Sequence, residues 1–203
     1  MGIKTPNRFD PFTDRTARDI RNTLSESFTA ALAAGDPGKY LIEARNWREQ
    51  NTAALHADYI TDRLRRYDRV FDAIREDGID DPLQQALVIW NRGLFFEFHD
   101  HLEGVWKSAT GDQKQALKGL IKAAGVYIHL EHHHLQPAQS LALKAYRLLR
   151  NYAHCLAFID NHKTLLEKLK SADPEPPRLR RSLQKAHKTE RRVDTGAGKE
   201  SAC

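Results

Sequence analysis

Residues 13–35 read TDRTARDIRNTLSESFTAALAAG, and the spacing of their apolar side chains decides the fold class. Ile20, Leu24, Phe28 and Leu32 recur every four residues, which lays one apolar stripe along a helix and cannot line one face of a strand. Thr13 and Asp14 are cap candidates at the start, and Gly35 supplies a stop.

The same punctuation recurs along the chain. Asp36 and Pro37 restart a helix with Tyr40, Ala44 and Trp47 on one face. Leu55, Tyr59, Leu64, Tyr67, Phe71 and Ile74 mark another that ends at Gly78; the break before it is not legible. Asp81 and Pro82 repeat the cap-and-proline signal for a helix expected to run to about Ser108. A further helix follows a turn at Gly111, and another opens at Pro137 and breaks near Asn151. No stretch alternates apolar and polar residues with period two. The expectation is an all-α chain: a compact antiparallel bundle with additional N-terminal helices and a flexible basic C-terminal tail. The expected boundaries are 1–81 for an N-terminal extension packed on the bundle, 82–170 for the helical domain, and 171–203 for a disordered basic tail.

Composition bounds the function classes. The chain has 203 residues, 40% of them hydrophobic, enough for a substantial core. No apolar run is long enough to cross a bilayer, and the start MGIKTPNRFD lacks a signal-peptide core, so the expected location is cytoplasmic. Cys155 and Cys203 are the only cysteines and form no CxxC pair, which disfavours a disulfide framework or a thiolate zinc site. The net charge of +5 invites a nucleic-acid reading. Much of that excess lies after the breaker DPEPP, so weak binding of nucleic acid or an acidic partner by the tail is expected at most.

One segment carries candidate chemistry. On a helix advancing about 100° per residue, Asn91, Leu102, Phe95, Trp106, His99, Glu103 and Phe96 fall within one arc, which places His99 and Glu103 inward, in the apolar stripe and bracketed by Phe95, Trp106 and Phe96. Glu97 and Asp100 fall elsewhere and read as a solvated face, unless a neighbouring helix or a symmetry mate in a homo-oligomer covers them. His99 and Glu103 are i and i+4, so imidazole and carboxylate can touch or ligate one ion together. Two ligands do not hold zinc; a third is needed, and His129 on the next helix is the local candidate. The run His132-His133-His134 reads as a solvated helix terminus.

The string NRGLFFEFHDHLEGVW (91–106), with LKGLIKAAGVYIHL (117–130) after it, resembles a bacterial and archaeal family known as domain-of-unknown-function family 309. Its hallmark HxxxExxW corresponds here to His99, Glu103 and Trp106, preceded by Asn91, Gly93, Phe96 and Glu97. The second segment supplies Gly119 and His129. The resemblance covers roughly residues 82 to 150 and implies a compact helical fold with a metal-binding role for the His and Glu. It implies no reaction. Asp100 stands where the family commonly has Glu.

The sequence-level site is therefore a pocket of Asn91, Phe95, His99, Glu103 and Trp106, with His99, Glu103 and His129 as ligands of a divalent metal. The corresponding function is a metal-binding bundle of unknown function, with metal-dependent hydrolysis as its extension. The alternative is a non-enzymatic module that binds protein or RNA, in which His99 and Glu103 are a structural pair. No triad, phosphate loop or nucleotide fingerprint decides whether the chain is an enzyme, and no substrate is legible.

Overall fold

The computed structural model describes residues 8–50 and 53–182. Among these residues it forms eight α-helices and no strand: α1 (Arg15–Ala34), α2 (Gly38–Glu49), α3 (Ala54–Glu76), α4 (Pro82–Asn91), α5 (Phe95–Ser108), α6 (Gly111–Glu131), α7 (Leu135–Asn151) and α8 (His162–Ser171), with a 3₁₀ turn over Ala153–Leu156. No helix is long and apolar enough to cross a membrane among the described residues.

The expected caps form where their chemistry allows. Asp14 accepts from the backbone of Thr16 and Ala17 and opens α1, whose buried face carries Ile20, Leu24, Phe28 and Leu32. Asp81 does the same for α4 through Leu83 and Gln84, with Pro82 in the first turn. These carboxylates satisfy amides that have no partner within the helix.

α6 is the axis of the bundle. It packs against α5 on one side and α7 on the other, while α1 crosses α5 and brings α2 and α3 with it. The approach of α7 is close: a Cβ at Gly119 would lie 2.7 Å from Cδ2 of Leu149, so that position has no room for a side chain. Trp90, Phe98, Leu94 and Tyr127 are buried where α4, α5 and α6 meet, with Trp90 edge-on to Phe95, Phe98 and Tyr127.

Three local expectations change. The helix expected from 82 to 108 is two helices, because Gly93 adopts φ 66 between α4 and α5. A left-handed residue turns the axis, so Asn91 does not share a helix with His99. The His132–His134 run is only partly solvated: His133 takes a left-handed turn, while His132 and His134 pack edge-on against Phe12.

The third change concerns the segment read as tail. Residues 172–182 lie against the bundle as an extended strap, with Pro177 and Leu179 buried and Arg178 and Arg180 outward. Ile159 and Arg181 make an isolated antiparallel bridge. The remainder of the expected tail, 183–203, lies outside the described residues.

Candidate functional site

The placement of polar groups on α5 follows from what covers each flank. Its buried residues are Phe95, Glu97, Phe98 and Leu102. The arc therefore centres on Phe98 and Leu102, and α1 and α3 cover the side that carries Glu97. His99 and Glu103 sit on the opposite rim, with side chains 30% and 46% exposed. The expectation of an inward pair is corrected: Phe96 and Trp106, counted as core, are only partly buried, and that shifts the centre of the stripe.

Glu97, expected to face solvent, is wholly buried. The Tyr67 hydroxyl donates to its Oε1 at 2.7 Å, and Arg63 Nε lies 3.8 Å from the same oxygen. Arg63 also stacks its guanidinium over the Tyr59 ring at 4.7 Å and is itself buried. Burial, followed by the charge of Glu97, pushes the Tyr67 hydroxyl well above its ordinary range. Burial opposes the charge on Arg63, but its anionic surroundings prevail and hold it protonated. A buried ion pair of this kind holds α3 to α5 only while both members are present. One sequence signal could have exposed it: Tyr59, Arg63 and Tyr67 follow each other every four residues, placing an arginine within the apolar stripe of α3.

The rim forms a hydrogen-bonded chain. Ser25 on α1 donates to Asp100 Oδ2 at 2.5 Å, and Asp100 Oδ1 lies 3.3 Å from His99 Nδ1. With that hydrogen bond donated by Nδ1, Nε2 carries the lone pair and faces Glu103 Oε1 at 3.7 Å. Phe96 lies parallel to the His99 ring and takes the Arg21 guanidinium on its face at 3.8 Å. Trp106, farther along the rim, has the Lys114 ammonium over its ring at 4.6 Å.

His129 does not join this rim. Its ring stacks on Phe12 at 5.0 Å and lies 5.8 Å from His134, beside the N-terminal segment. Burial and the neighbouring His134 lower its pKa. No group of three His, Cys, Asp or Glu side chains able to hold a metal is present among the described residues. Of the expected ligands His99, Glu103 and His129, the structure brings together the first two.

Asn91 has a different task from the expected pocket. Its amide donates to the Leu179 carbonyl at 2.7 Å and accepts from the Leu179 amide at 2.8 Å. Trp90 Nε1 donates to the Pro177 carbonyl at 2.8 Å. From the other side, Asn161 donates to the Arg178 carbonyl and accepts from the Arg180 amide. The strap is thus clamped by its main chain between two asparagines.

The strap completes a groove of about 600 Å³ against α4 and the Gly93 turn. Four arginines line it, Arg92, Arg178, Arg180 and Arg181, against one aspartate, Asp77. Arg181 is paired to Asp77 at 2.6 Å, and Arg180 reaches Asp160 at 3.2 Å. Arg66, donating to the Arg92 and Gly93 carbonyls, adds a further cation beneath the turn. The sequence-level expectation placed Arg178, Arg180 and Arg181 in a loose tail and so missed the groove.

Residues 83–141 match the model of a family described as domain of unknown function (DUF309). No curated protein and no solved structure matches the chain.

Proposed function

We propose that this chain is a non-enzymatic binding module for RNA, engaged through its phosphate backbone in the arginine groove between α4 and the strap. The carrying observation is that groove: four arginines and one aspartate around about 600 Å³. Guanidinium forks suit phosphate oxygens. The aromatic residues lining the groove, Trp90 and Phe95, are buried, so they offer no exposed faces for base stacking. Recognition of this kind is tolerant of sequence and sensitive to salt.

Fluorescence anisotropy with a labelled single-stranded RNA tests the reading. With four phosphate contacts, the slope of log K against log salt is expected near −3, at about −0.7 per contact. Replacing Arg92 and Arg178 by alanine removes two contacts and flattens the slope by roughly 1.4. Binding that ignores salt and both substitutions would sink the idea. An acidic peptide that competes at equal charge concentration would reassign the groove to a protein partner.

A second reading rests on the rim. Asp100 lies 3.3 Å from His99 Nδ1, and Nε2 lies 3.7 Å from Glu103 Oε1; with the proton on Nδ1, an imidazole lone pair and a carboxylate stand side by side. Such a pair supplies half of a tetrahedral ligand set, and solvent at the half-exposed rim would complete the shell of a divalent ion. Titration with zinc, nickel or manganese should then raise the Tm of the wild type and leave that of H99A/E103A unchanged. Equal responses from the two proteins remove the metal from consideration.

A further inference from the structure

A second groove lies at the far end of α3, and nothing in the RNA reading uses it. It encloses about 620 Å³ between the end of α1, α2, and the C-terminal half of α3. Its floor is apolar, built from Leu32, Tyr40, Phe71, Ile74 and Ile79. Its rim is acidic: Asp68, Asp72 and Asp80 stand against a single cation, Arg75.

Two further facts distinguish this face from an ordinary surface depression. Of the twelve residues of α2 only Tyr40 and Ala44 are buried, while Leu41, which walls the groove, and the adjacent Ile42 are 46% and 49% exposed. A helix held by so few core contacts, with adjacent large aliphatics left in water, presents more apolar surface than its own fold uses. Two of the acids have polar partners. The Tyr40 hydroxyl donates to Asp68 at 3.0 Å, and Arg75 pairs with Asp72 at 2.8 Å. Asp80 has no ion-pair partner among the described residues.

We propose that this groove docks an amphipathic helical segment of another protein, one that carries aliphatic anchors at i and i+3 or i+4 flanked by lysine or arginine. An apolar floor accepts the anchors, in the mode by which helices lie in hydrophobic grooves. The three carboxylates select the flanking charge, because an acidic helix would meet like charge at the rim while a basic one would meet its complement. The volume is that of a binding site rather than a packing fault. A neutral apolar helix satisfies the floor and forfeits the rim, so charge is what discriminates partners here.

The test is selection from a display library of random sixteen-residue peptides on the full chain, with the triple variant L41E/D72K/D80K as counter-selection. All three residues are on the surface, and far-ultraviolet circular dichroism of the variant is the check that it folds. The expected survivors carry spaced aliphatic residues with flanking Lys or Arg. They should bind the wild type at least tenfold more tightly than D72K/D80K, and lose measurable binding to L41E. Survivors that are acidic, or equal binding to wild type and variant, overturn the proposal, as does the absence of any survivor. Sedimentation of the free chain supplies the remaining outcome: a wild-type dimer that L41E converts to monomer would assign the face to a second copy and overturn it too.

Discussion

The Tyr67 hydroxyl reaches across from α3 to donate to the Glu97 carboxylate on α5 at 2.7 Å, in a site closed to solvent. With Arg63 3.8 Å from the same oxygen, it joins three polar residues at the contact between the N-terminal helices and the segment matched by the family model. The partners are unequal in what their loss would do. Glu97 carries the charge that justifies burying Arg63, whereas Tyr67 supplies one hydrogen bond.

Glu97→Ala is expected to be the most damaging single change on α5. Removing one member of a buried ion pair leaves the other uncompensated, at a cost of about 3–5 kcal/mol. For a chain of this size that corresponds to a fall in Tm of roughly 10 °C. Tyr67→Phe deletes only a donor to a charged acceptor and should cost about 1.5–3 kcal/mol. Differential scanning calorimetry of the two variants checks the order; equal losses would mean that the ion pair contributes nothing beyond the hydrogen bond.

Asn91→Ala should release the strap without unfolding the bundle. It removes both hydrogen bonds to Leu179, leaving a partly buried amide and carbonyl unpaired at about 1–3 kcal/mol. Hydrogen exchange at the Leu179 amide is expected to accelerate far more than exchange in α6. Uniform acceleration across the chain would show that the strap and bundle open together.

Gly119→Ala tests the seam between α6 and α7. The added methyl would meet Leu149 at 2.7 Å, and overpacking of this kind costs about 1–3 kcal/mol, although alanine is the better helix former by about 1 kcal/mol. A stabilised variant in urea denaturation would mean that the two helices part without cost.

The N-terminal segment should loosen as pH falls from 6.5 towards 4. Burial drives the His132 pKa down to about 4, opposed by Asp10 and aided by Arg8, His134 and Arg21; His129 is lowered in the same direction by burial and His134. A histidine with a folded pKa below its unfolded value of 6.5 stabilises the fold fully above 6.5. That contribution disappears progressively as pH drops through the folded pKa. Asp10 and Asp14 are lowered carboxylates, with losses confined below their ordinary value of 3.8, so the two windows separate. A plot of Tm against pH should therefore fall between 6.5 and 4, and H132Q should flatten it; an unchanged slope in H132Q would assign the fall to other groups.

Much of this architecture is legible in the chain because it rests on local rules. Asp14, Asp81, Pro82 and Gly35 mark helix ends through hydrogen bonds within a few residues, and the four-residue spacing of Ile20, Leu24, Phe28 and Leu32 identifies a buried face. The arrangement around His99 depends on non-local facts. Which flank of α5 is covered is decided by α1 and α3, more than 25 residues away in sequence for Tyr67 and more than 70 for Ser25. Periodicity alone assigns Phe96 and Trp106 to the core when they line its edge. The turn at Gly93 was written in the sequence, but a glycine inside an apolar run reads equally as packing. The strap was hidden for another reason: most of its docking hydrogen bonds use its main-chain atoms, which leave no trace in residue type except at Trp90, Asn91 and Asn161, whose side chains bind them.

That last point separates attachment from appearance. Asn91 and Asn161 grip residues 178–180 without reading the side chains of Arg178 or Arg180, and only Leu179 of these three is buried. The two outward positions can therefore be exchanged for amide or aromatic residues while the strap stays in place, Arg180 giving up only an exposed pair with Asp160. The bundle in effect wears an interchangeable facing, and its surface chemistry can be rewritten by a few codons near the C-terminus while the helices beneath remain as they are.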